Sequence, residues 1–359
     1  LESKAIGHFS QFVEIYLSEI DNNIHKNLNV RTIDIWCFQP KICNKYLARK
    51  WRKYFNILPW FIVIPIITIN KMMPGRIHEV PYRYHDDDYG LPWQYQDFYD
   101  VYKKSKCHVS FTTKEIKEAN ALLNTVNINL EDKIVTVLVR DIAYWGFCSD
   151  TYRNSNIKIV EPAIKSLAKL GYKVVRMGQK VSAPLSIKHK NVLDYSQSSI
   201  NSEFLDLFII SKCKFYIDTG SGLGGVAAMF RRPTLFFNYP ELHYLCIHPT
   251  DLFIPKHFWS IEEKRMLTFR EIIKIKAHYF SDDTHYKKAK IESVDNTPEE
   301  ILEAVIEMEK RISNTWNTQK DEDKLQQKLK NIWKVEERRG VSIPKISYNF
   351  LINNNDFLN

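Results

Sequence analysis

The middle of the chain repeats a strand–helix pattern, and this repeat limits the possible folds more than any other feature. Residues 134–139 form a continuous apolar run, which is typical of a parallel strand covered on both faces. Further strands are predicted at residues 173–177, 191–195, 214–218 and 234–238, with helices at 163–170, 203–211 and 226–230. This alternation predicts an α/β fold with a Rossmann-like parallel sheet.

The length leaves room for more than this sheet. At about 150 residues per domain, 359 residues predict about two domains. The first third also alternates helix and strand signals, so we expect an N-terminal domain at residues 1–130 and a second domain at 131–295. Residues 296–359 are predicted to form a helical extension, because Thr297 and Pro298 give a strong helix start.

One apolar run, at residues 57–69, is long enough to raise the question of a membrane span. Its 13 residues include Pro59 and Pro65 and fall short of the ~20 residues that a bilayer-crossing helix needs. We therefore expect a buried strand with flanking residues at this position.

The net charge is +9, from 51 Lys and Arg against 42 Asp and Glu. It permits nucleic acid, an anionic membrane surface or a phosphorylated ligand as partner. Residues 41–53 hold six basic side chains and no acid: Lys41, Lys45, Arg49, Lys50, Arg52 and Lys53. Beside Trp51, Tyr54 and Trp60, this segment suits an anionic membrane surface, with a solvated helix face as the alternative. No nucleic-acid-binding module accompanies the charge, so nucleic acid is not expected.

Cysteine usage bears on the compartment. The six cysteines are scattered, without a CxxC pair or a matching histidine spacing. This predicts a reducing compartment and no structural zinc site. We expect a cytoplasmic protein, placed peripherally on the cytoplasmic face of the inner membrane if residues 41–53 contact lipid.

A glycine-rich loop at residues 218–225 follows a predicted strand and opens a predicted helix. Backbone N–H groups and the helix dipole converge at such a point, which predicts a phosphate cradle. Gly220, Gly222 and Gly225 also match the dinucleotide pattern G-x-G-x-x-G. The loop comes after several βα units rather than the first, and its helix is short, which argues against NAD. A tight turn that needs glycine for its backbone angles is the remaining alternative.

Three arginines follow or end predicted strands. Arg140 comes directly after the run at 134–139, Arg153 lies in the next loop, and Arg176 ends a strand before Gly178. Ligands of open α/β sheets bind outside the carboxyl ends of the strands, so these guanidiniums are expected at the edge that carries the glycine loop. Arginine binds phosphate oxygens in fixed, bidentate geometry. The alternative is a surface arginine paired with a carboxylate such as Asp141.

His8 follows Gly7 at the start of the first predicted helix, where we expect a strand–helix turn facing the second domain. A lone histidine is usually a cap or a surface group. Its predicted position at the mouth of a cleft makes His8 a candidate proton acceptor.

Residues 218–238 resemble the donor-phosphate loop, short helix and following strand of GT-B glycosyltransferases such as the lipopolysaccharide heptosyltransferases. The chain from residue 6 to about 312 is similar to a family of largely uncharacterised bacterial glycosyltransferases. The matching stretches are residues 6–8, 42–45, 139–141, 152–154, 171–178 and the glycine loop. The resemblance implies two Rossmann-like domains facing each other across a cleft, with a C-terminal helical extension.

The resemblance also implies roles for individual residues. Catalysis would involve His8 and Arg140, with His8 standing where heptosyltransferases have an aspartate. Contacts with the donor nucleotide or diphosphate would come from Arg140, Arg153, Asn154, Arg176, Gly178, Thr219, Ser221, Gly222 and Leu223. The D-x-D pattern at residues 85–88 resembles the metal site of another class of sugar transferases, but its turn-forming neighbours predict a solvated turn.

The function expected from the resemblance is metal-independent transfer of a sugar to a cell-surface glycan or a lipid-linked acceptor. A nucleotide sugar would be the donor substrate, and no cofactor is expected. Two alternatives stay open at this point: an NAD(P)-dependent Rossmann oxidoreductase and a non-catalytic glycan-binding protein.

Overall fold

The apolar runs of the middle segment assemble into one parallel sheet. The computed structural model describes residues 1–24, 34–72, 97, 100–143, 151–242, 250–333 and 345–359. Strands lie at Ile35–Trp36 (β1), Asn56–Ile57 (β2), Ile134–Leu138 (β3), Lys173–Arg176 (β4), Val192–Asp194 (β5), Phe215–Asp218 (β6), Thr234–Tyr239 (β7), Leu252–Pro255 (β8), His257–Ser260 (β9), Arg265–Met266 (β10), Ile291–Val294 (β11) and Lys345–Ile346 (β12).

Helices surround this sheet. They lie at Val13–Asp21 (α1, entered through a π-helical turn at His8–Phe12), Lys45–Trp51 (α2), Trp60–Met72 (α3), Val101–Lys104 (α4), Thr113–Asn124 (α5), Glu161–Lys169 (α6), Glu203–Lys212 (α7), Gly222–Met229 (α8), Phe269–Lys274 (α9), Asp283–Ala289 (α10), Pro298–Ile312 (α11), Glu322–Trp333 (α12) and Tyr348–Asn353 (α13).

Seven strands form the main sheet in the order β12-β8-β7-β6-β3-β4-β5, and every pairing in it is parallel. The chain therefore builds outward from β3 to β5, returns to the other side of β3, and continues through β6, β7 and β8. The strand order reverses between β3 and β6, and in open α/β sheets ligands bind at the carboxyl ends of the strands at such a point. The predicted α/β fold with a parallel sheet is confirmed.

Several local predictions match because the responsible residues act within their own segment. Gly171 ends the α6 turn with a φ of 86°, in the left-handed region that glycine adopts without strain. The Ser202 side chain accepts a hydrogen bond from the Leu205 N–H and caps α7. Thr297 and Glu300 form a capping box at the start of α11.

The predicted buried strand at residues 57–69 is wrong. Only Asn56–Ile57 is a strand, and Trp60–Met72 forms the helix α3 with Pro65 inside it. A continuous apolar run has no periodicity that separates a strand from a helix, so its pattern could not exclude a helix here. Across the described segments, no helix has both the length and the apolar character needed to cross a bilayer.

The N-terminal segment differs from the predicted arrangement at its start. Gly7 already has helical angles, with φ −61° and ψ −51°, so His8 lies in the first turn of a helix and not in a strand–helix turn. β1 and β2 pair in parallel as a separate two-stranded sheet. They are the only strands among the described residues of 1–130, so an N-terminal Rossmann-like domain stays a prediction.

The hydrophobic core is continuous from the N-terminal segment to the main sheet. Phe9 and Trp51 belong to the same buried cluster as Val175 and Tyr216 of the sheet. The division into domains at residue 130 and a cleft between two halves therefore remain predictions.

The predicted C-terminal extension packs onto the sheet, and it is not purely helical. Its strand β12 pairs with β8 and forms one edge of the seven-stranded sheet. Trp333, Ile346, Phe350 and Phe357 are buried in the core that covers one face of this sheet. Residues 345–358 are therefore part of the α/β core.

Candidate functional site

A cavity opens where the strand order reverses. It has a volume of about 380 Å³ and is lined by the residues that follow β3 and β6, by the end of β7, and by the N-terminal residues 5–8. The position is the one that the sheet topology favours for a ligand. Most of the sequence-predicted site residues line it: His8, Arg140, Arg153, Gly178, Ser221, Gly222 and Leu223.

The glycine loop joins β6 to α8 along one wall of the cavity. Gly220 has a φ of 85°, and an added Cβ there would lie 2.7 Å from the Tyr239 ring, so this position requires glycine. The Ser221 N–H donates to the Asp218 carboxylate at 2.9 Å. Gly222 and Leu223, the first residues of α8, line the cavity, so the positive end of the helix dipole faces this space. The wall can accept an anionic group.

The other glycines of the fingerprint have a packing role. An added Cβ at Gly225 would lie 2.8 Å from the Gly7 Cα, and one at Gly222 would lie 2.9 Å from the Ile6 side chain. The N-terminal helical turn therefore crosses α8 at backbone distance, which only residues without a side chain permit. This crossing by itself accounts for two of the three glycines in the G-x-G-x-x-G match.

Arg140 and Arg153 are both tied to the glycine loop. The Arg140 backbone N–H donates to the Thr219 hydroxyl at 2.8 Å, which joins the carboxyl ends of β3 and β6. The Arg153 Nη2 donates to the Gly220 carbonyl at 2.8 Å, and its Nε lies 3.1 Å from the Glu241 carboxylate. These bonds tie the backbone of Arg140 and the side chain of Arg153 to the glycine loop, and both residues line the cavity.

Three predicted donor contacts do not line the cavity. Arg176 is fully buried, pairs with Asp194 at 3.1 Å and donates to the Ser196 hydroxyl at 2.8 Å. Thr219 is also fully buried, and its hydroxyl accepts the Arg140 bond described above. The Asn154 carbonyl accepts a hydrogen bond from Lys256. Burial commits Arg176 and Thr219 to partners inside the protein, and the contacts of all three residues with a donor nucleotide stay predictions.

His8 lies more than 130 residues before Arg140 in the sequence, yet it lines the same cavity. Its Nδ1 is 2.5 Å from the Glu2 carboxylate, and its ring stacks on Phe12 at 4.9 Å. A carboxylate at Nδ1 favours the tautomer with the proton on that nitrogen, which leaves Nε2 as the proton-accepting atom. This pairing was not predicted from the sequence.

The sequence did not identify two buried carboxylates that line the cavity. Glu241 accepts a hydrogen bond from the Tyr152 hydroxyl at 2.6 Å in addition to its contact with Arg153. Asp206 is 4% exposed, and its Oδ2 accepts from Gln179 at 3.3 Å. The only available signal for Asp206 was an acid within the apolar helix at residues 203–211.

Burial raises the proton affinity of two carboxyl groups that line the cavity, those of Asp206 and Asp218. It raises the pKa of Asp206 to about 6 and that of Asp218 to about 6 as well. Asp218 is compensated by the Ser221 N–H, whereas Oδ1 of Asp206 accepts no hydrogen bond from the part of the chain that the structure describes. Asp206 is therefore the least compensated of the cavity's acids.

The D-x-D pattern at residues 85–88 lies outside the described residues. Within the described ranges, no group of three or more His, Cys, Asp or Glu side chains is arranged to hold a metal ion.

Comparisons with known proteins give distant structural likenesses. No protein-family model matches the sequence, and no curated protein matches it. A family 9 glycosyl transferase from Veillonella parvula is similar over 82% of this chain and 78% of its own, at 12% identity and a TM-score of 0.38. The wall teichoic acid polymerase TagF is similar over 57% of this chain and 50% of its own, at 17% identity and a TM-score of 0.27. At these TM-scores neither likeness carries an argument about function.

Proposed function

We propose that this protein is a glycosyltransferase that moves a sugar from a nucleotide-sugar donor to a glycan or lipid-linked acceptor. The observation that supports it best is the cavity at the β3/β6 reversal, where the α8 N-terminus, Arg140 and Arg153 face one space that His8 also lines. The sequence resemblance of residues 218–238 to the donor-phosphate loop of GT-B enzymes points the same way. An anion-binding wall beside a proton acceptor is what transfer from a sugar diphosphate requires.

In this proposal the donor diphosphate binds at the glycine loop. The first N–H groups of α8 and the guanidiniums of Arg140 and Arg153 hold its oxygens. As the bond between the anomeric carbon and the diphosphate oxygen breaks, these groups stabilise the negative charge that the leaving nucleotide diphosphate gains. This stabilisation uses no metal ion.

The acceptor side of the proposal assigns His8 as the base. The acceptor hydroxyl oxygen forms the new bond to the anomeric carbon and passes its proton to His8 Nε2. Glu2 at Nδ1 stabilises the resulting imidazolium, since the two groups are 2.5 Å apart. The products are the glycosylated acceptor and the nucleotide diphosphate, with the proton on His8.

The sheet topology gives an oxidoreductase less support than the sequence motif alone does. In dinucleotide-binding sheets the glycine fingerprint follows the first strand of the order 3-2-1-4-5-6. In this protein the fingerprint follows β6, which corresponds to strand 4 of that order. Strand 1 of that order corresponds to β3. Two of the fingerprint glycines also contact the N-terminal turn.

Calorimetric titration tests the donor site directly. UDP, GDP and ADP, each free and as the nucleotide sugar, should include one that binds, and the binding of that nucleotide diphosphate should weaken at least about tenfold in Arg140→Ala and in Arg153→Ala. Arg153→Lys should keep part of the affinity, and Arg270→Ala, an exposed site on α9, should leave it unchanged. His8→Ala should abolish turnover and keep donor affinity.

The alternatives give different outcomes in the same experiment. Binding of NAD(P) with no response to any nucleotide sugar would replace the proposal with an oxidoreductase. Glycan binding without turnover of any donor would indicate a non-catalytic protein. Turnover that is unaffected in His8→Ala and Arg140→Ala would refute the site assignment.

A further inference from the structure

The helix α3 exposes more large apolar side chains than any other described element. Its exposed members are Trp60 (47%), Phe61 (61%), Ile62 (45%), Ile64 (45%), Ile66 (53%), Ile69 (62%) and Met72 (82%). Scattered apolar residues are normal on a protein surface, but a contiguous apolar face indicates a contact with another apolar phase. The proposed sugar-transfer site makes no use of this helix.

Only a narrow stripe of α3 faces the protein. Val63 and Asn70 are buried and Ile67 is half-buried, and these three follow the spacing of four and three residues that defines one side of a helix. The other sides carry the exposed apolar residues. A helix that is apolar all round belongs in an apolar environment, and here most of its circumference has none from the described residues.

Basic side chains flank this apolar helix. Arg52 and Lys53 are exposed in the turn that precedes β2 and α3, and Lys71 is exposed in the last turn of α3. Lys53 and Lys71 form no ion pair with a carboxylate in the described ranges. The charges at both ends of the helix are therefore complementary to an anionic surface.

The structure removes one of the six basic side chains of residues 41–53 from the surface, and the other five are exposed. Lys50 is buried, with its Nζ 2.8 Å from both oxygens of Glu115 and 2.9 Å from the Ser110 carbonyl. The Arg49 guanidinium lies over the Tyr46 ring at 5.5 Å. The apolar contact that would fix this segment at a bilayer comes instead from α3.

We propose that α3 is a membrane-docking helix that lies in the interface of an anionic lipid bilayer. Its 13 residues rise about 20 Å, which is shorter than the ~30 Å hydrocarbon core, so the helix lies along the surface and does not span. The exposed isoleucines and Phe61 enter the acyl region, Trp60 sits at headgroup level, and Arg52, Lys53 and Lys71 contact lipid phosphates. This proposal goes beyond the proposed function, because binding to lipid does not depend on sugar transfer.

Sedimentation with vesicles tests the proposal on the full chain. Binding to vesicles of phosphatidylcholine mixed with phosphatidylglycerol should exceed binding to phosphatidylcholine alone, and added salt should weaken it. The triple variant Ile62→Ser, Ile66→Ser and Ile69→Ser should reduce partitioning at least about tenfold per side chain that inserts. The matched control replaces exposed apolar residues elsewhere, Ile261→Ser with Ile352→Ser, and should bind like the wild type.

Two further measurements separate charge and insertion. Lys53→Glu with Lys71→Glu should reduce binding to the anionic vesicles by about fivefold per charge, whereas Lys188→Glu should have little effect. Brominated lipids should quench tryptophan fluorescence in the wild type and not in Trp60→Phe. Unfolding midpoints of all variants should match the wild type, since the substituted side chains are exposed.

Other occupants of the α3 face would overturn the proposal. A wild-type dimer that the triple variant converts to a monomer would identify the face as a contact between two copies of this chain. Failure of both vesicle types to bind, with amide exchange showing α3 protected by residues 73–96, would assign the face to the chain's own segment. Neither result would affect the donor-site titration.

Discussion

At the scale of single residues, burial separates side chains that the sequence presents as equivalent. Arg140 and Arg176 follow or end strands and Arg153 lies in the loop region after β3, but Arg176 is turned inward and paired with Asp194 while the other two line the cavity. A strand end is defined by sequence, whereas the direction of its last side chain depends on the neighbouring strand. The sequence could therefore indicate the edge of the sheet and not the members of the site.

The buried carboxyl of Asp206 should make stability depend on pH. Its folded pKa of about 6 lies above the ordinary 3.8, so the folded chain holds this proton more tightly than the unfolded chain. The contribution of this carboxyl to the stability of the fold is present below about pH 4 and is lost as the pH rises through 6. The free energy of unfolding of Asp206→Asn, compared with that of the wild type at the same pH, should therefore be higher at pH 8 than at pH 4 by about 2–3 kcal/mol. Urea denaturation at the two pH values measures this difference.

The control for this experiment is Glu271→Gln. The hydrogen bond from Arg265 lowers the pKa of Glu271 to about 2, which is a shift in the opposite direction. Glu271→Gln should therefore lower the stability slightly at pH 8 and leave it unchanged at very low pH. An Asp206→Asn variant that is less stable at pH 8 would show that the buried carboxylate is compensated after all.

The crossing of Gly7 and α8 gives a second prediction at this scale. Replacing a helical glycine with alanine usually stabilises a helix, but in Gly225→Ala the new Cβ would lie 2.8 Å from the Gly7 backbone. We expect a net loss of about 1–2 kcal/mol in urea unfolding without any nucleotide present. Gly7→Ala should act in the same direction, since its Cβ would lie 3.1 Å from the Gly222 carbonyl. A stabilised Gly225→Ala variant would contradict the packing role.

At the scale of elements, helix termini that are capped from their own sequence were predictable and those capped from elsewhere were not. Thr297 and Glu300 cap α11 within four residues of chain. The start of α2 has a local cap, the Asn44 side chain that accepts from the Leu47 N–H, and it also uses Glu203, whose Oε2 accepts from the backbone N–H groups of Lys45 and Tyr46 at 2.7 and 3.2 Å. No local sequence pattern can predict a capping group that comes from a helix more than 150 residues away.

Removing this cap should loosen the contact between α2 and α7. Glu203→Ala should lower the free energy of unfolding by about 1–2 kcal/mol, because two N–H groups of α2 lose their acceptor. Glu299→Ala, an exposed acid in the first turn of α11, should cost about 0.3–1 kcal/mol through the helix dipole alone. Equal effects of the two substitutions in urea unfolding would show that the cross-segment cap contributes nothing.

At the scale of the whole molecule, segments distant in sequence share one interior. Arg231 follows α8 and pairs with the fully buried Glu14 of α1, while β12 closes the sheet edge beside β8. The helical periodicity of the extension was visible in the sequence, but a two-residue edge strand has too few residues to form a pattern. Its pairing depends on the exposed backbone of β8.

The C-terminal residues should therefore be needed for folding of the sheet. Phe350 is 1% exposed and packs against Phe357 in the core, so Phe350→Ala should cost about 3–5 kcal/mol. Ile352→Ala, at a site that is 40% exposed in the same helix, should change stability by less than about 1 kcal/mol. Thermal and urea unfolding of the two variants measure the difference. Equal stabilities would show that the extension is dispensable.

The sequence by itself determined the parallel sheet, the helices around it, their local caps, and the glycine-rich loop after β6. Each of these follows from periodicity, from backbone preference or from a cap within a few residues. Only the tertiary structure decided that Arg176 and Thr219 turn inward, that Asp206 and Glu241 line the cavity, and that α3 is an exposed helix. The physical reason is that burial and partner choice depend on elements far apart in the chain, and no local pattern records which surfaces will meet.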